Sequence, residues 1–263
     1  MTTYRILYDI TQDAYNWFMA ITQWDQAHKI KNDDFQKIAK NIRQNNLNFS
    51  DAKKLLIPFI RRHNKSASMS VEEFEKIATM QLAEKFQPAI TKLEQVTKHP
   101  LAIQDCAKNR AKEISKIDKN AQAPNEDLLF LITTFPNMPV YYAEGVIYMY
   151  THIDNELWGM PLDGILHELM HFQTNKYYRE NPDSPVSKLS NKEYYILKES
   201  LTALLDEGWK PLITLPDCSY PEFQPLRDKL VAYHKKVQDF DLLMAYGTEE
   251  VKKFANKKQS TSV

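Results

Sequence analysis

Residues 164–175 read GILHELMHFQTN, and within them stands His167-Glu168-Leu169-Met170-His171. Four residues make a little over one helical turn, so on a helix His167 and His171 share a face and both imidazoles can reach one ion. Glu168 is turned about 100° away from His167 by the helical period, off such an ion but near a water bound to it. The spacing therefore implies ligands at His167 and His171, zinc as the ion, and Glu168 as the general base that takes a proton from water. Zinc lowers the pKa of bound water to about 7 and polarises a carbonyl, which suits amide hydrolysis. Ile165, Leu166, Leu169, Met170 and Phe172 give the same stretch a wide apolar surface. Two imidazoles and a carboxylate buried on it with nothing to satisfy them would be costly.

A catalytic zinc usually takes three protein ligands plus water. A metzincin continuation would need Gly at 174 and His at 177, where this chain has Thr174 and Tyr177. A glutamate from the next helix remains, and NKEYYILKESLTALLDEGW offers Glu193, Glu199 and Glu207. Glu199 stands mid-helix among Ile196, Leu197, Leu201 and Leu204, beside small Ser200 and Ala203 that would let two helices approach. A carboxylate in that setting needs a partner, which zinc would provide. Glu207 adjoins Gly208 and Glu193 adjoins the helix start, where a solvated carboxylate is usual; both stay as alternatives.

Outward from the motif, the texture of the chain divides near Pro124. From Thr11 to about Lys119 the apolar residues recur three and four apart in successive amphipathic helices. Expected N-caps are Asn32 or Asp33, Ser50 with Asp51, and Ser70, with Glu73 completing a capping box. Beyond Asn125, LLFLITTF and VYYAEGVIYMYTHID read as strands, the latter folded about a Glu144-Gly145 turn. A helix over about 162–178 carries the motif, a second runs from about Lys192 to Glu207 and stops at Gly208, and a last one covers about Leu226 to Ala245. The expected units are a helical region, 1–124, and a catalytic region, 125–263.

Of 263 residues, 43% are hydrophobic, enough for a sizeable core, and Lys plus Arg equals Asp plus Glu at 34 each. That balance gives no pull toward nucleic acid or anionic lipid. It is uneven: residues 1–124 hold 20 basic against 14 acidic residues and 125–263 the reverse. Such opposition would hold the helical region against the catalytic one, as a lid or inhibitory segment. MTTYRILYDITQDAYNWFMAIT lacks a signal-peptide pattern, no apolar run approaches the roughly 20 residues of a membrane helix, and Cys106 and Cys218 form no metal or disulfide pattern. The expectation is a cytoplasmic protein.

The segment from Tyr141 to Trp209 resembles the gluzincins, the thermolysin-like branch of HExxH metallopeptidases, in its order of strand, HELMH helix, loop and glutamate helix. The resemblance implies an α+β, zincin-like fold with a small antiparallel or mixed sheet over active-site helices, and VIYMYTHID as the edge strand that holds an extended peptide. It maps His167, His171 and Glu199 to the zinc ligands and Glu168 to the base. The family's aspartate four residues after the glutamate is Ala203 here, so orienting a ligand histidine would fall to Asp163, Asp206 or Thr202. The E…A…LL texture is also similar to short HExxH peptidases that regulate phage and mobile elements.

Such enzymes commonly stabilise an oxyanion with a Tyr or His beyond the glutamate helix; Tyr233, His234 and Tyr246 are the candidates, and His152 is a further residue near the expected strand end. His28, His63 and His99 lie among charges and read as surface residues, and the Tyr pairs as packing. The expected function is a zinc-dependent metallopeptidase acting on a peptide or protein. The alternative is an inactive or regulatory HExxH protein that works through protein contacts of its helical region.

Overall fold

The computed structural model describes residues 1–23, 27–65, 69–117, 122–136, 139–151, 161–205, 207–214 and 220–260, with only the backbone described at 29, 65, 116–117, 207 and 257–260. His152, Asp206, Cys218 and the side chain of Glu207 lie outside this set. The fold is mixed α and β and forms two compact units. One comprises residues 3–79 and 106–153, the other 1–2, 80–105 and 154–263. Residue 124 thus falls inside the first unit, and residues 80–105 are grouped with the HELMH helix instead of with the N-terminal helices.

The first unit holds a four-stranded mixed sheet in the order β1-β2-β4-β3. β1 (Tyr4–Leu7) and β4 (Val146–Tyr150) flank β2 (Leu128–Thr133) in parallel, and β3 (Val140–Tyr141) adds antiparallel to β4. β1 was not legible as a strand; it brings the N-terminus into the sheet, with Tyr4 opposite Leu128 and Leu7 opposite Leu131. Every residue of β2 is buried, the pattern of a parallel strand covered on both faces. The expected turn at Glu144-Gly145 is present. Gly145 has φ 64, and a Cβ there would lie 2.8 Å from the Asp127 carbonyl oxygen and from Cys106 Cβ, so only glycine fits. β4 is not the sheet edge, because β3 lies outside it; β3 spans only Val146 and Ile147 in register.

Three helices, α1 (Ile10–Thr22), α2 (Asp33–Gln44) and α3 (Phe49–Lys65), pack in the same unit around Trp17, whose ring meets Phe35, Phe59 and Phe135 edge-on at 4.8–5.3 Å. His63 belongs to this cluster, stacked on Phe59, and is not the surface residue expected. A buried polar clamp ties α1 to the end of β2: Asp13 accepts from Thr133 Oγ1 at 2.8 Å, Thr134 N at 3.1 Å and Thr134 Oγ1 at 2.7 Å. Caps follow the side-chain chemistry of the turns. Asn32 caps α2, Asn48 instead of Ser50 caps α3, and Ser70 with Glu73 forms the capping box of α4 (Val71–Thr97). α5 (Cys106–Ile117) is stapled to the loop before β2 by Arg110, whose guanidinium donates to the carbonyls of Glu144, Pro124, Glu126 and Asp127.

The second unit is helical. α6 (Pro161–Thr174) ends in one π turn, Asn175–Arg179, and is followed by α7 (Asn191–Leu201), α8 (Gln224–Val237) and α9 (Phe240–Ser260). α7 is shorter than its apolar pattern implied. Thr202 Oγ1 and the buried Arg227 guanidinium both donate to the Glu199 carbonyl, and the chain tightens there into a 3-10 turn, Thr202–Leu205. The single last helix expected is two: Gln238 is left-handed at φ 52, and Asp239 caps α9 through the Leu242 amide. Gly247 lets α9 approach closely, since a Cβ there would lie 2.8 Å from Leu197 Cδ1 of α7. Among the described residues no helix is long and apolar enough to cross a membrane.

Candidate metal centre

The HELMH segment is fixed at both ends by residues 80–105. At its start, Gln81 Oε1 accepts from the Leu162 amide at 2.9 Å, serving one of the amides that a helix N-terminus leaves unpaired. Near its end, Gln173 is fully buried: its amide nitrogen donates to Thr97 Oγ1 and the carbonyls of His99 and Pro100, and its oxygen accepts from the Ala102 amide at 2.7 Å. Leu162, Ile165, Leu166, Leu169, Met170 and Phe172 are buried. His171 is likewise buried and His167 half-buried, as the helical spacing required.

α7 supplies the third group. Ile196, Leu197 and Leu201 bury one side of it, and Glu199 is carried inward with them at 4% exposure. Glu199 Oε2 lies 3.3 Å from His167 Nε2 and 3.3 Å from His171 Nε2. Neither contact has hydrogen-bond geometry: His171 Nδ1, His171 Nε2 and Glu199 Oε2 are all buried without a hydrogen-bond partner. The ligand atoms of the three residues lie within 4.8 Å of one another. Donor atoms about 2.0–2.1 Å from a tetrahedral zinc are about 3.3–3.4 Å apart, so the Glu199 contacts match that edge. Two imidazoles and one carboxylate are a donor set that zinc accepts. On both counts the residues fit a divalent ion of this kind.

The electrostatics agree with the donor roles. Burial, with His167 close by, pushes the His171 imidazole down to about 3, so it is neutral and keeps a lone pair at physiological pH. Burial works against ionisation of Glu199, but His167, His171 and Lys198 outweigh it and hold the carboxyl well below the usual range. The other oxygen of Glu199, Oε1, is 2.9 Å from Lys198 Nζ.

No protein-family model, no curated protein and no solved structure matches this chain.

The remaining candidates separate clearly. Glu168 is half-buried, one residue beyond His167 on the same helix. Glu193 is used elsewhere: its carboxylate accepts from the Ser190 amide and hydroxyl, completing the capping box of α7. Of the groups considered for orienting a histidine, Asp163 accepts from the Thr214 amide and Thr202 serves the Glu199 carbonyl. Tyr233 and Tyr246 stack on each other at 4.1 Å. His234 is on the same helix as Tyr233, where burial lowers its pKa. His99 is half-buried, not on the surface: it stacks on Tyr177 at 4.2 Å and meets Tyr178 Oη at 3.0 Å.

Sequence reasoning missed Tyr195 and Tyr220. Tyr195 lies one turn before Glu199 on α7, and its ring meets Tyr220 edge-on at 5.7 Å. Burial, its hydrogen bond to Tyr195 and the carboxylates of Glu199 and Glu168 all raise the Tyr220 phenol, which stays protonated. Tyr220 is held at φ 58 ahead of Pro221. Nothing in the local spacing of SYPEF marks that residue as lying within the field of Glu199 and Glu168.

Proposed function

We propose that this protein is a zinc-dependent metallopeptidase with a zincin-like arrangement, in which His167, His171 and Glu199 hold the ion and Glu168 is the general base. One observation carries the reading: His171 Nε2 and Glu199 Oε2, on two separate helices, are buried without hydrogen-bond partners, and together with His167 these residues gather their ligand atoms within 4.8 Å. A buried polar group left in that state costs free energy unless something completes it. The order of β4, α6, loop and α7 supports the likeness to gluzincins. The spread of two cysteines in no redox or metal pattern agrees with a cytoplasmic site of action.

Zinc bound there would supply a Lewis acid and a nucleophilic water at neutral pH. The work of the chain itself follows from the positions of its groups. His171 remains a neutral donor because burial disfavours its cation. Glu168, on the helix face next to the ligands, takes the proton of the attacking water and passes it to the leaving amine.

Elemental mass spectrometry of wild type and Glu199→Ala, followed by cleavage of a peptide library, tests this reading. One zinc per chain, lost in the variant, together with cleavage by wild type supports it. Failure of wild type to take zinc on reconstitution removes it. Zinc without any cleavage would favour the regulatory, non-enzymatic alternative.

A further inference from the structure

Glu199 presents its two oxygens to different partners. Oε1 is 2.9 Å from Lys198 Nζ, while Oε2 faces the two imidazoles at 3.3 Å each. Side chains of adjacent helical residues do not normally face each other. Here the long stem of Lys198 bends round the helix, with its ammonium 5.6 Å from the centroid of the Tyr195 ring one turn back. Lys198 is only 20% exposed along its side chain, so its ammonium needs a partner, and the carboxylate oxygen provides one. The pair fixes the torsion of a carboxylate whose remaining oxygen has no hydrogen bond.

We propose that Lys198 is a positioning residue that makes Glu199 a one-oxygen ligand: it occupies Oε1, leaves Oε2 alone for the ion, and so keeps a coordination position open. This rests on the reading that the trio holds a metal. A carboxylate without that restraint can rotate to offer both oxygens to one cation, as carboxylates do toward larger ions. A second oxygen would fill the place a catalytic site leaves to water.

The test is cobalt substitution of the full chain, because four-coordinate cobalt absorbs visible light more strongly than five- or six-coordinate cobalt. Wild type and Lys198→Arg should give the intense spectrum, and Lys198→Met and Lys198→Gln a weaker one, with one metal per chain throughout. An unchanged spectrum in Lys198→Met overturns the proposal while leaving the metal site standing. Where the neutral variants fail to fold, zinc X-ray absorption of wild type decides: one carboxylate oxygen in the shell supports it, two overturn it. A wild-type chain that binds neither metal overturns the metal reading itself, and this proposal with it.

Discussion

Gln81 accepts a hydrogen bond from the backbone amide of Leu162, 81 residues further along the chain, and so caps the helix that carries the HELMH residues. The buried amide of Gln173 makes the matching connection at the other end. Residues 80–105, which fall within the helical region 1–124 of the sequence, are therefore part of the scaffold of the candidate metal centre.

Removing residues 1–124 should consequently abolish cooperative folding of the remainder, because it strips the partners of Leu162 N and Gln173 and the buried residues Leu82, Phe86, Ile90 and Leu93. In the full chain, Gln173→Ala should cost about 1–3 kcal/mol, the range for leaving buried groups unpaired. Circular-dichroism melting checks both. A truncated protein that melts sharply and takes up zinc would show that residues 80–105 are dispensable to the centre.

The roles within HELMH separate by mutation. Glu168→Gln should retain zinc and lose peptide turnover by about 10²–10⁴-fold, the usual contribution of a general base. His171→Ala should lose zinc and activity together. Metal analysis alongside single-turnover cleavage distinguishes the two, and full activity in Glu168→Gln would end the proposed mechanism.

Asp13 predicts a pH effect far from the metal. Burial pushes its carboxyl up to about 6, against the hydrogen bonds donated by Thr133 and Thr134. A raised folded-state pKa means that the folded chain holds this proton to higher pH than the unfolded one. The contribution to stability is complete below the unfolded value of about 4 and is lost as pH rises through about 6. Asp13→Asn should flatten the stability profile between those limits, measured by urea unfolding at a series of pH values. A variant with the wild-type slope would show that Asp13 is not the titrating group.

Gly145→Ala should destabilise the first unit by more than the about 1–2 kcal/mol of a left-handed non-glycine residue, since the new methyl would also meet the Asp127 carbonyl oxygen and Cys106 Cβ at 2.8 Å. Thermal melting reads the loss. A melting temperature equal to wild type would mean that the turn rearranges freely.

Much of this was legible because local chemistry repeats. The spacing of His167 and His171 placed them together, and the apolar neighbours of Glu199 singled it out from Glu193, which the Ser190 cap claims. Gly145 announced its turn. What escaped was decided by partners distant in sequence. Tyr4–Leu7 is a strand because Leu128–Leu131 pairs with it, α7 tightens because Arg227 reaches the Glu199 carbonyl, and Tyr220 is paired with Tyr195 of α7 from 25 residues away. The break between α8 and α9 was hidden by an apolar rhythm that continues across Gln238, although Asp239 was there to cap.

The pairing of β1 with β2 bridges more than a hundred residues, and contacts so far apart in sequence are slow to form. Without Tyr4–Leu7 beside it, β2, wholly apolar in Leu128–Ile132, would present a bare edge. Trimming or encumbering the first seven residues would leave LLFLI open to pair with another chain.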